Sequence, residues 1–153
     1  MRIHRLEREQ LVRAPLEEVF AFFSFAGNLG ALTPAWLSFE LLVPESTVMR
    51  RGTLLDYRLK LHGLPLRWRS LIEIWEPGVR FVDLQLRGPY RLWSHLHEFE
   101  ARPGGTLVRD EVLYALPLQP LGEAARPFVR RDLGRIFDFR HEAVQQLLTP
   151  GTS

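Results

Sequence analysis

Cysteine is absent from the 153 residues of this chain, and lysine nearly so: Lys60 stands alone beside 19 arginines. Without thiols there can be no disulfide, no cysteine nucleophile, no zinc finger and no cysteine-ligated iron–sulfur cluster, and a reducing compartment, the cytoplasm, is the expected location. Long apolar runs are missing too. The densest, Val19-Phe20-Ala21-Phe22-Phe23, falls far short of the ~20 residues that span a bilayer, and Met1-Arg2-Ile3-His4-Arg5 opens no secretory apolar region. Charge of one sign is scarce: the net charge is +2 although the isoelectric point is about 9.5. Basic residues are scattered from Arg2 to Arg140 with acidic ones between them, so no polybasic arm exists and nucleic acid is not an expected partner. Gly-x-Ser-x-Gly elbows, Walker loops, dinucleotide fingerprints and His-Glu-x-x-His helices are all lacking, and no cofactor is expected.

What is present is the material of one domain over residues 1–153, long enough to bury roughly 70% of its unfolded surface. Residues 2–13 read as a strand stopped by Ala14-Pro15. Pro15 suits the first position of a helix, whose apolar face is Leu16, Val19, Phe20 and Phe23 behind Glu17 and Glu18. A second short helix fits Gly27–Leu32, before Thr33-Pro34. From Trp36 to Leu118, punctuation at Pro44, Gly52, Gly63, Gly78, Gly88-Pro89 and Gly104-Gly105 divides six strand-length segments. No room is left for crossover helices, so neighbours pair as antiparallel hairpins. Gly122–Leu148 is the one long helical segment, with Val129, Leu133, Ile136, Phe137, Val144, Leu147 and Leu148 on its apolar stripe, and Thr149–Ser153 reads as a loose end. The class is α+β: a seven-stranded curved antiparallel sheet around a long C-terminal helix, with two short helices after the first strand.

This order, together with Pro15 before Val19-Phe20, Asn28-Leu29, Leu32-Thr33-Pro34, Gly52-Thr53, Trp75-Glu76-Pro77, Phe81-Val82-Asp83, and Trp93, His95 and His97 beside Gly105-Thr106, resembles the helix-grip fold of the START and birch-pollen-allergen (SRPBCC) superfamily. Its bacterial members include polyketide cyclases and lipid-transfer domains. The resemblance implies a cavity between sheet and helix; it does not choose among carrier, enzyme and other roles.

Chemistry concentrates in Phe81–Tyr114. A hairpin about Gly88-Pro89-Tyr90, with Arg87 opposite Arg91, sets Asp83 across from His95 and Gln85 across from Trp93. In the next hairpin one register opposes Glu98 to Asp110. A four-residue loop over Arg102–Gly105 instead sets His97 against Asp110 and Glu98 against Arg109, and charge favours it. Asp83, Gln85, Trp93, His95, His97, Asp110 and Tyr114 then share one face. Two faces compete for the interior, the other carrying Val82, Leu84, Leu86, Leu92 and Leu96. The polar set is favoured because Phe81, Trp93 and Phe99 interleave with it, whereas Ser94, Glu98 and Glu100 lie on the rival face.

Facing inward, Asp83 with His95 and Asp110 with His97 would be desolvated acid–imidazole pairs suited either to acid/base work or to satisfying one another on a pocket floor. His95 and His97 with a carboxylate could also ligate a metal, but histidines already paired with aspartates need none, and no metal is assigned. Tyr57, Trp68 and Phe81, with Leu55, Leu59, Ile72 and Ile74, alternate suitably for an apolar pocket wall, with Phe137 opposite on the long helix. Three functions follow as expectations. The first is a carrier or sensor of a small hydrophobic molecule. The second is a cyclase- or dehydratase-like enzyme using His95, His97, Asp83 and Asp110. The third is a protein-interaction module. Arginines 126, 130, 131, 135 and 140 beside Phe128 and Phe139 would permit transient membrane contact. The sequence sets no oligomeric state.

Overall fold

The opening strand, β1 (His4–Val12), stops where the chain turns at Ala14-Pro15. Helix α1 (Leu16–Ser24) follows, burying Val19, Phe20, Phe23 and Ser24, with Glu17 and Glu18 in its first turn. Pro15 sits one residue earlier than the sequence suggests: it is the N-cap, extended at φ −63° and ψ 151°, and its carbonyl accepts the first helical bond from Val19 at 3.0 Å. The expected second helix is instead a string of three 3₁₀ turns at 26–28, 30–32 and 35–37. Gly27 explains part of this. Its N–H bonds the Glu45 carbonyl at 3.1 Å, and a Cβ there would stand 2.7 Å from the same oxygen, so this backbone is held by a neighbouring loop and not by its own helix.

Six further strands follow: β2 (Glu40–Leu41), β3 (Leu54–Leu61), β4 (Leu64–Glu76), β5 (Arg80–Arg87), β6 (Leu92–Arg102) and β7 (Gly105–Ala115). All pair antiparallel in the order β1-β7-β6-β5-β4-β3-β2, with each sequential pair a hairpin and β1 returning to the last strand. Two irregularities interrupt the β4–β5 ladder, between Arg69 and Ser70 and between Ile72 and Ile74, and such bulges bend the sheet.

Helix α2 (Arg126–Leu148) lies on the concave face, preceded by a 3₁₀ turn at Leu121–Ala125 and started by Pro127 in its first turn. Leu133, Phe137, Val144 and Leu148 are buried as the apolar stripe requires, but Leu147 is half-exposed and Ala143 takes its place inside. Trp68, Trp93, Val112 and Tyr114 pack with Leu133 and Phe137; Phe20, Phe23, Phe81 and Phe99 pack with Val144 and Leu148 near α1. No helix among the described residues is long and apolar enough to cross a membrane. The computed structural model describes residues 1–149. Of the expected loose end, Thr149 still closes α2 through its N–H to Gln145 at 3.2 Å, and residues 150–153 lie outside the described residues.

Candidate functional site

Strand alternation decides which face looks inward. Along β6, Trp93, His95, His97 and Phe99 are buried while their neighbours are only half so, and along β7 Thr106, Val108, Asp110, Val112 and Tyr114 repeat the pattern. The polar set faces the concave side under α2. Between sheet and helix lies a cavity of about 180 Å³ lined mostly by apolar side chains, Leu55, Leu59, Ile72, Met49, Trp68 and Phe137 among them, with Asp83, His95, His97 and Arg140 forming its one charged wall.

The ladder sets Asp83 opposite His95, as the hairpin about Gly88-Pro89-Tyr90 implies, and His97 opposite Asp110, the register that charge favours. Hydrogen bonding, however, runs diagonally. His97 Nε2 meets Asp83 Oδ2 at 2.6 Å and His95 Nε2 meets Asp110 Oδ1 at 2.7 Å, while the directly opposed pairs stand at 3.7 and 3.5 Å. The partners expected from register are therefore exchanged. The cause is stacking: the two imidazoles lie 3.7 Å apart, inclined by 25°, and Phe81 stacks on His97 at 4.1 Å, so the rings slide until each Nε2 reaches the diagonal carboxylate.

Arg140 completes the wall. Its guanidinium nitrogen lies 3.4 Å from His97 Nδ1 and 3.9 Å from Asp110 Oδ1. An arginine can only donate, so the Nδ1 it approaches carries the lone pair, and His97 is the neutral tautomer that donates Nε2–H to Asp83. Titration agrees. Burial, then the neighbouring His95 and Arg140, hold the His97 imidazole down at about 4, against an opposing pull from Asp83. Burial would raise both carboxyls, but it is outweighed: His95, the His97 hydrogen bond and Arg140 keep Asp83 below its ordinary value, and Arg140 with His95 keeps Asp110 well below the usual carboxylate range. Burial also pushes the Tyr57 and Tyr90 phenols up, so both stay protonated.

Of the other expected wall residues, Tyr57, Trp68, Phe81, Trp93 and Phe137 line the cavity. Gln85 does not. The β5–β6 ladder ends at Leu84–Ser94, so Gln85 never opposes Trp93 nor Arg87 Arg91; its amide closes the turn by donating to the Tyr90 carbonyl at 2.7 Å and accepting from the Tyr90 N–H at 3.2 Å. Asp110 and Tyr114 are also absent from the lining, Asp110 behind the histidines it holds and Tyr114 behind Trp93 and Tyr90, against His4. Ile74 turns outward because Glu73 has no partner in the ladder; past that bulge Trp75 faces inward on Phe81. Sequence reasoning missed Ser70 and Tyr90, and it set Arg140 among the membrane-contact arginines, whereas that side chain lies in the cavity wall with only 13% of it exposed. Ser70 accepts the Trp68 indole N–H at 3.0 Å, which explains a hydroxyl on a buried position. Arg140 was findable: it interrupts the apolar spacing of Leu133, Phe137 and Val144, where a solvated charge does not belong.

Asp83, His95 and His97 place one ligand atom each within 4.8 Å of one another, the donor set of a two-histidine, one-carboxylate site. The Arg140 guanidinium at His97 Nδ1 and the short Nε2–carboxylate bonds are instead what a hydrogen-bonded network uses.

Neither a family model nor a curated protein matches the sequence. Solved structures do match, in fold. The Zhui aromatase/cyclase from Streptomyces sp. R1128 is 14% identical at a TM-score of 0.75, over 94% of this chain and 92% of that one. Protein CV1439 from Chromobacterium violaceum is 13% identical at 0.75, over 96% and 98%. A START superfamily protein from Mycobacterium smegmatis is 14% identical at 0.67, over 95% and 97%. The fold that this chain shares with these structures is the helix-grip fold.

Proposed function

We propose that this protein binds a small hydrophobic molecule in the cavity between sheet and α2, with the polar end of the ligand held at Asp83, His95, His97 and Arg140. One observation carries the reading: a cavity of about 180 Å³, mostly apolar in its lining, whose charged groups stand together on one wall. An engineered apolar cavity of about 150 Å³ accommodates benzene, so at least one ring fits, and a mostly apolar lining with a few fixed polar groups is the usual make-up of a ligand pocket. Arg140 engages His97 through a single long contact, which leaves guanidinium N–H groups for a carbonyl or carboxylate oxygen. Native mass spectrometry of the delipidated protein after incubation with a cell lipid extract tests this. A retained mass is expected, and it should be lost in Leu59→Trp, which fills the cavity. Retention of nothing from any extract overturns the reading.

A second reading rests on the same wall. Once Arg140 turns from His97 Nδ1 to a bound carbonyl oxygen, the freed Nδ1 lone pair can take a proton from the carbon beside that carbonyl while the guanidinium stabilises the oxygen on which charge develops. That is chemistry of the cyclisation or dehydration kind. Replacing His95 and His97 by Gln separates the two. A carrier keeps its ligand with modest loss, whereas turnover of a candidate carbonyl substrate should fall by about 10²- to 10⁴-fold; unchanged turnover removes the catalytic role.

A further inference from the structure

The N-terminal end of α2 and the loop before it are built against ordinary preference. Leu118, Leu121 and Phe128 are 81%, 82% and 71% exposed, the three most exposed large apolar side chains of the described residues. Leu118 also has φ +57°, a conformation a leucine rarely adopts. No acidic residue lies in the first turn of α2, the usual place for one, while Arg126, Arg130 and Arg131 crowd the positive end of the helix dipole. Arg126–Arg130 and Arg131–Arg135 are like-charge pairs at i, i+4, each unfavourable for the helix. Among the described residues none of these four arginines has a carboxylate within 4.0 Å; Arg135 lies over the Trp36 ring, 4.8 Å from its centroid, and the other three stand clustered at this one end. Arg130, Arg131 and Arg135 join Arg8 around a groove between β1 and α2 whose one acid, Asp138, is already held by Arg8 at 2.8 Å.

We propose that this end of the molecule docks on a bilayer containing anionic phospholipid, with Leu118, Leu121 and Phe128 entering the interface and the arginines meeting lipid phosphates. Charge complementarity selects the occupant. Separate apolar tips flanked by guanidinium groups that no carboxylate neutralises suit a fluid apolar layer beneath an anionic surface, where each cation contributes without needing a fixed partner. Phe128, Arg131 and Arg135 fall at i, i+3 and i+7 on the outer side of the helix whose inner side supplies Leu133, Ile136 and Phe137 to the cavity. Docking therefore lays the cavity's own wall helix on the membrane. Docking of this end is independent of what the cavity holds.

Co-sedimentation with vesicles tests it. The protein should bind phosphatidylcholine vesicles containing phosphatidylglycerol, bind pure phosphatidylcholine weakly, and be released by salt. Arg130→Gln with Arg131→Gln should weaken binding by about thirtyfold, and the triple change Leu118→Ser, Leu121→Ser, Phe128→Ser by at least about tenfold. Circular dichroism establishes that each variant is folded; all five positions are exposed, and none packs in the core. Absence of wild-type binding to anionic vesicles overturns the proposal. So does wild-type binding by the folded triple variant, since that would leave a purely electrostatic anion site.

Discussion

Because His97 is neutral when folded but protonates near 6.5 when unfolded, it makes stability depend on pH. Its folded value is depressed to about 4, so between those two values the unfolded chain binds more protons than the native one, and stability must fall as pH falls through that window. The full effect is about 3 kcal/mol. Urea denaturation at pH 7 and near pH 4 should show it, and His97→Gln should flatten the curve across that interval. Asp83 and Asp110 act in the same sense lower down, their depressed carboxyls stabilising the fold above the ordinary carboxylate value and ceasing to do so as pH drops through their folded values. Arg140 supplies much of that at Asp110. Arg140→Gln should cost roughly 1–3 kcal/mol at neutral pH and less in acid, where a protonated Asp110 needs no cation. A cost independent of pH would mean that Arg140 acts by packing over the Phe23 ring, 5.3 Å from it.

Among the elements, the β1–β7 edge depends on Gly105. With φ at +157°, a Cβ there would lie 2.1 Å from the Val12 carbonyl oxygen, a backbone atom that cannot step aside. Gly105→Ala should therefore destabilise the protein by more than the ~1 kcal/mol typical of a point change, seen as a lowered urea midpoint. This same hairpin shows what could be read from residues alone. Opposing Glu98 to Asp110 is costly, so charge fixed the His97–Asp110 register, and the ladder closes down to Arg102–Gly105 around Pro103-Gly104. The diagonal exchange of partners could not be read, because it depends on two rings sliding over one another in three dimensions. Ile74 misled for a different reason: period-two alternation assumes an unbroken ladder, and nothing in Ile72-Glu73-Ile74 announces a bulge. Gln85 was misplaced because its amide competes with the ladder for the backbone of Tyr90. The order of the strands from β3 onward and of the long helix was legible, since proline and glycine mark each turn; the stretch 26–41 was not, because its backbone is held at Ala26 and Gly27 by a neighbouring loop.

For the molecule as a whole, a cavity that binds apolar compounds couples ligand to stability. A hydrophobe at about a hundred times its dissociation constant adds about 2.7 kcal/mol, which for a chain of this size raises the melting temperature by about 5–10 °C. Thermal scans against a panel of aromatic and acyl compounds should find such a shift, and Leu59→Trp should abolish it. The position of β6 gives that occupancy another effect. Bonded to β5 on one side and β7 on the other, it lies well inside the sheet, whereas β2 has two paired residues at one margin. Amide hydrogens of His95 and His97 should thus exchange with deuterium only when the whole protein opens, while those about β2 exchange by local fraying. Buffer then reaches the two imidazoles by way of the cavity and not through the sheet, so whatever fills the cavity also sets how fast those imidazoles can trade protons with the outside.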